Sequence, residues 1–176
     1  MDARCARSCH IRLRLALGVR PTHRRRVIFD WLMGKRCTAV TAPEDNPANA
    51  TIFEFGDAVF WVDTMWRISI AGRLHRTLGD DGQRYGLGHP IDVRADAAEV
   101  LAGRAIVSVS VDLVRGDIAM ELDGKCVLEF LTESHYEAWQ CTAPGHHYVA
   151  ASSGEVMRVV EESPGRCRSV PVRGDA

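Results

Sequence analysis

The chain has 176 residues, 46% hydrophobic and 26% charged, with 22 Lys and Arg against 23 Asp and Glu. That length suits one domain with a sizeable core, and no apolar run reaches the ~18 residues a membrane helix requires, so no membrane partner is expected. The charge is uneven: residues 1–26 hold Arg4, Arg7, Arg12, Arg14, Arg20, Arg24, Arg25 and Arg26 against Asp2 alone, which leaves 14 basic and 22 acidic residues downstream. A body so acidic is a poor nucleic-acid surface, because such surfaces neutralise phosphates with Lys and Arg. Nucleic acid is therefore an unlikely partner except through the basic leader.

The leader, 1–26, reads first as a disordered Arg-rich segment. Its "IRLRLALGV" lacks the continuous apolar core of a secretory signal, although the composition suits a transit peptide. A basic arm for an anionic partner is the next reading. From residue 27 a short helix is expected, "RRRVIFDWLMG", with Val27, Ile28, Trp31 and Leu32 on one side and Gly34 as its stop. Period-two alternation then predicts strands: Phe53 and Phe55 around Glu54, next Ala58, Phe60 and Val62, next Trp66, Ile68 and Ile70. Gly56-Asp57 makes the first tight turn.

"GDDGQRYGLG" (79–88) is a linker that lacks the ligand spacing of a calcium loop. "DVRADAAEVLAG" (92–103) has Asp N-caps, good helix formers and a terminal Gly, and predicts a second short helix. Strands follow again at Met120 and Leu122, at Cys126, Leu128 and Phe130, and at Trp139, Cys141 and Ala143, with Asp123-Gly124 as a turn. "EVMRVVEE" is expected to add an edge strand. Residues 162–176 read as a flexible tail.

The second series repeats the first. "LMGKRCTAVT" (32–41) lies over "LAGRAIVSVS" (101–110) at a constant offset of 69 residues. "FEFGDAVFWV" matches "MELDGKCVLEF" with one insertion at the turn, and "WRISIAG" matches "WQCTAPG". Length changes fall in turns, as a duplicated β unit requires. The expected fold is therefore α+β and mainly antiparallel β. Two tandem pseudo-symmetric β-meander repeats, 27–78 and 92–152, form one domain over 27–161. They pack as a sandwich or partly closed barrel, a short helix leading each, with Trp66 and Trp139 in the core.

The reactive residues are sparse. Cys37, Cys126 and Cys141 face Ile106, Ala58 and Ile68 in the other repeat, so they read as small buried hydrophobes with reduced thiols, in keeping with a cytoplasmic location. No CxxC pair, nucleophile elbow, phosphate loop or HExxH helix is present, so no catalytic set, metal or cofactor is assigned. His135, His146 and His147 read as hairpin residues. Glu137, on the parity of Trp139, would need a partner if buried, and Arg67 is one candidate although its own parity points to the other face; a place at a sheet rim in water is the reading preferred. Trp61, Tyr136 and Tyr148 stand near hairpin ends, where interface aromatics carry binding energy.

At "FWVDTMWRI", "DDGQRYGL" and "YEAWQ" the sequence resembles a family of small bacterial, mainly actinobacterial, proteins of unknown function, over roughly Leu32 to Gly154. That resemblance implies no catalytic residue or ligand. In size and character the chain is also similar to immunity proteins that neutralise toxins, an analogy of class only. The expectation is a non-catalytic domain that binds another protein through Trp61, Arg67, His135, Tyr136, Glu137, His147 and Tyr148. The alternative is a small-molecule-binding protein or enzyme with a pocket between the repeats, using Glu137 with His135 or His147.

Overall fold

The computed structural model describes residues 29–44, 50–133, 137–163 and 166–173. The leader therefore lies outside the described residues, as do Val27, Ile28, His135 and Tyr136. Twelve strands are described. They are β1 (Cys37–Thr41), β2 (Thr51–Phe55), β3 (Ala58–Val62), β4 (Met65–Ile70), β5 (Arg73–Thr77), β6 (Ile106–Val111), β7 (Ile118–Leu122), β8 (Cys126–Leu131), β9 (Trp139–Ala143), β10 (His146–Ala150), β11 (Val156–Ser163) and β12 (Arg166–Pro171). One α-helix, α1 (Val93–Leu101), stands between β5 and β6.

All strand pairs are antiparallel, and they build two sheets: β1-β2-β3-β9-β10-β11-β12 and β5-β4-β8-β7-β6. The chain changes sheet after β3, so the hairpin β4–β5 joins β8, while β9–β10 joins β3. Thr64 in the crossing between β3 and β4 is buried, and its hydroxyl donates to the Leu131 carbonyl. Five-stranded and seven-stranded sheets meet at one corner. There Gly34 N–H donates to Ile106 O (2.8 Å) and Ile106 N–H to Lys35 O (2.9 Å), while Gly103 N–H donates to Cys37 O (3.0 Å) and Cys37 N–H to Arg104 O (2.9 Å). An Arg36–Ala105 bridge lies between them. At the other side β5 and β12 do not pair, so the molecule is a sandwich and not a closed barrel.

Alternation decides what the sandwich buries. Phe53, Phe60, Cys141 and Tyr148 lie in one inward row across four strands, with Thr51, Val62, Trp139, Ala150 and Val156 in the next. Ile68, Leu128 and Met120, with Trp66, Phe130 and Ile118, answer them from the other sheet. Phe53 meets Trp66 edge-on at 5.4 Å and Phe130 at 5.2 Å, inside the range where aromatic pairs attract. Both buried indoles satisfy their N–H groups: Trp66 donates to Thr51 Oγ1 (3.0 Å) and Trp139 to Gly116 O (2.7 Å).

The helix forms as its sequence dictates. Asp92 caps it by accepting from Arg94 and Ala95 N–H, and Val93, Ala97 and Leu101, four residues apart, make its buried face. The expected leading helix at 27–34 differs: among the described residues it is a three-residue 3-10 turn, Asp30–Leu32. Asp30 has no side-chain cap before it, and Gly34, at φ +79°, turns the chain at once into β1. The segment read as a tail also differs, since β12 pairs with β11 and Val172 packs on the core. Cross-strand pairing to β11 supplies the order that its own Arg- and Ser-rich sequence does not signal. No described helix is long and apolar enough to cross a membrane.

Candidate functional site

The two sheets present unlike outer faces. On the seven-stranded sheet the outward row reads Ile52, Trp61, Gln140, Val149 and Met157, each directly opposite the next on β2, β3, β9, β10 and β11. All five are half-buried. The neighbouring row holds Glu54, Val59, Thr142 and His147. Trp61 sits near the middle, and its indole N–H is fixed by Asp63 Oδ2 at 3.0 Å. Five strands ~4.8 Å apart make this face about 19 Å across.

On the five-stranded sheet the corresponding rows are more polar: Thr77, Arg67, Glu129, Ala119 and Ser110 in one, and Leu74, Ser69, Val127, Glu121 and Ser108 in the other. Arg67 and Glu129 lie opposite each other and form a bidentate ion pair, with Nε–Oε2 2.6 Å and Nη2–Oε1 2.9 Å. Ser108 donates to Glu121 Oε2 at 2.8 Å. Hydrogen-bonded charges of this kind keep a surface solvated.

A second cluster closes one end of the sandwich. Trp31, on the 3-10 turn, stacks on His146 with centroids 4.1 Å apart and planes at 9°. Phe29 packs beneath, 4.9 Å from Tyr148 and 6.2 Å from Trp139. Lys35 stands 5.9 Å over the Trp31 ring and pairs with Asp57, whose carboxyl its hydrogen bond holds below the ordinary range. His146 is thus a packing residue, not a free hairpin side chain.

The structure brings Trp61 and His147 onto the same outer face, separated by β9 alone. Tyr148 is buried, because it has the inward parity of β10, and so cannot serve a surface. Arg67 belongs to the opposite face and is engaged by Glu129, not by Glu137. Glu137 is exposed just before β9, beside Ala138, whose carbonyl accepts from Asp63 N–H. Between the sheets, where a pocket would have to lie, stand Phe53, Phe60, Trp66, Phe130 and Trp139. Among the described residues no three His, Cys, Asp or Glu side chains are grouped to hold a metal. Burial pushes the Cys37 thiol up to about 11, and Cys141 higher still, so neither is a ready nucleophile. Ile52, Gln140, Val149 and Met157 escaped the sequence reading; the signal that finds them is parity, once β3 is known to pair with β9.

No curated protein and no solved structure matches the chain significantly. Residues 50–161, from the start of β2 into β11, match a family described as a family of unknown function (DUF6188), and the chain belongs to that family.

Proposed function

We propose that this protein is a non-catalytic protein-binding domain whose contact surface is the outer face of the seven-stranded sheet, centred on Trp61. The observation that carries this reading is the contrast between the two outer faces: Ile52, Trp61, Val149 and Met157 line one, while the Arg67–Glu129 pair holds the other in water. Trp is among the residues enriched at the centres of interfaces, and Trp61 stands in a row that is apolar apart from Gln140. A face about 19 Å wide suits one element of a partner, such as an amphipathic helix, better than a large obligate interface. The net negative body favours a partner with basic residues around its apolar anchor. A reducing cytoplasmic setting belongs to the same reading, supported by the buried free thiols of Cys37, Cys126 and Cys141.

The same proposal takes the domain to be a duplicated unit. Strands β1-β2-β3 with β9-β10 and strands β6-β7-β8 with β4-β5 follow one order, shifted by five strands. The corner hydrogen bonds Gly34–Ile106 and Gly103–Cys37 exchange partners at the 69-residue offset, which supports a twofold relation.

Affinity capture from the native host, with tagged wild type beside Trp61→Ser and Arg67→Ala, tests the surface. Loss of the captured protein in Trp61→Ser alone is expected. Capture unchanged by Trp61→Ser, or lost with Arg67→Ala, would remove the basis for this assignment.

A further inference from the structure

Four strands end the two sheets, and β6 is the least guarded of those edges. Helix α1 packs along β1. The edge strand β5 is tied to α1 by the Arg76–Asp96 ion pair (2.7 Å), and β12 carries Arg166, Arg168 and Pro171. Charge, proline and covering elements are the devices by which proteins keep an edge from pairing. β6, "IVSVSV", has none of the charged or proline kind, and its covering element is the short 3-10 turn Asp30–Leu32. Its bulge falls at Val107, beside the stretch where Gly34 and Lys35 already occupy Ile106. Beyond it no described strand pairs with the outer side of β6.

The ladder fixes what that side offers. Asp112 N–H donates to Asp117 O, and Ser110 faces Ala119, while Val109 faces Met120 and Val111 faces Ile118. Hydrogen-bonded and non-bonded pairs alternate in an antiparallel ladder, so Asp112 and Ser110 spend their groups on β7, and Val109 and Val111 turn theirs to the open edge. Exposed apolar side chains gather along the same edge: Val107 (51%), Val114 (83%) just after the strand, and Met33 (43%), next to Gly34.

We infer that β6 is a self-pairing edge that takes β6 of a second copy of this chain, antiparallel, with the twofold axis at Ser110. In that register Val109 meets Val111 of the second copy and the reverse, so all the open backbone groups of both residues find partners. Ser110 then faces its own counterpart in a non-bonded pair, where side chains come closest and two hydroxyls can share a hydrogen bond. No like charges meet, which would not hold for an edge carrying Arg166 and Arg168. The contact unites two five-stranded sheets into one of ten strands. It is smaller than the ~800 Å² per partner of a standard interface, so the dimer is weak and concentration-dependent. This inference is independent of the Trp61 surface.

Sedimentation velocity on the full chain over a wide concentration range tests it. The expected result is a reversible monomer–dimer equilibrium that Ser110→Lys weakens about tenfold or more, by setting two ammonium groups face to face, with unchanged circular dichroism and melting. In a background with Cys5, Cys9 and Cys167 replaced by Ser, Ser110→Cys with oxidised glutathione gives a disulfide-linked dimer, since directly opposed non-bonded pairs lie within disulfide reach. A chain that stays monomeric at every concentration overturns the inference. So does a dimer that survives Ser110→Lys, or one that Trp61→Ser abolishes, which would seat the second copy on the outer face. Loss of the captured partner in Trp61→Ser with the dimer intact leaves both surfaces standing.

Discussion

Gly154 and Gly116 meet backbone to backbone, and alanine at Gly154 measures what that contact is worth. Gly154 has φ +81°, and a Cβ built there would lie 2.8 Å from Arg115 O, 2.9 Å from Arg115 C and 3.0 Å from Val114 O. None of these atoms can swing away as a side chain would. The left-handed backbone alone costs a residue with a side chain about 1–2 kcal/mol. Relieving the overlap must also displace the turn at 112–117, whose Gly116 carbonyl accepts the buried Trp139 N–H at 2.7 Å. Losing that bond adds about 1–3 kcal/mol. Gly154→Ala should therefore cost about 2–5 kcal/mol. Gly145 is the control, because its φ is +76° and nothing lies within 4 Å of its added Cβ. Gly145→Ala should show the backbone cost alone, about 1–2 kcal/mol. The two variants then differ by about 1–3 kcal/mol, and with a urea slope of about 1–3 kcal/mol/M the Gly154→Ala midpoint should fall about 0.3–3 M below that of Gly145→Ala. Equal midpoints would refute the claim that the two glycines are required by close approach, and leave only the demand for positive φ.

Three further outcomes follow from charge and burial. Burial would raise the Asp112 carboxyl, but hydrogen bonds from the Arg115 side chain and from Arg115 and Val114 N–H outweigh it and hold it below its usual value. Its stabilising contribution is thus present above the unfolded pKa of about 4 and disappears as pH falls through the folded value. Asp112→Asn should cost up to ~1 kcal/mol near neutral pH and nothing in strong acid, by urea titration at both pH values. A double-mutant cycle of Arg67→Gln and Glu129→Gln should give a coupling of about 1 kcal/mol or less, reduced by salt, because the pair is only partly shielded from water. Of the described cysteines, Cys167 alone should react with an aromatic disulfide reagent in the native state, since it is exposed while Cys37, Cys126 and Cys141 are buried. Stoichiometric labelling of Cys141 before denaturation would contradict its place in the core.

The strands were legible because alternation and glycine turns are local. Phe53–Phe55, Ala58–Val62 and Trp66–Ile70 each carry their own period of two, and the inward placement of Trp66 and Trp139 follows from it. What stayed hidden depends on partners remote in sequence. That β3 lies beside β9 rather than β4 is settled by how two greasy sheets cover each other, and no residue of β3 records it. Trp61 could be named from sequence, but Gln140, Val149 and Met157 could not, since they join it only through that pairing. The stacking of His146 on Trp31 is hidden for the same reason, since the two residues are remote in sequence. β12 escaped for a related reason: five of its six residues are exposed, so no apolar rhythm marks it.

The change of sheet after β3 has a consequence for how the polypeptide holds together. Each sheet is completed by a hairpin from the other half of the chain, β4–β5 in one and β9–β10 in the other, and the stretch between α1 and the 3-10 turn at Leu78–Asp80 is exposed from Asp81 to Pro90. The halves are clasped, not merely adjacent. Cleaving the exposed connection would cut the covalent thread while leaving every strand pair in place, and two fragments expressed separately should recover the fold only when mixed.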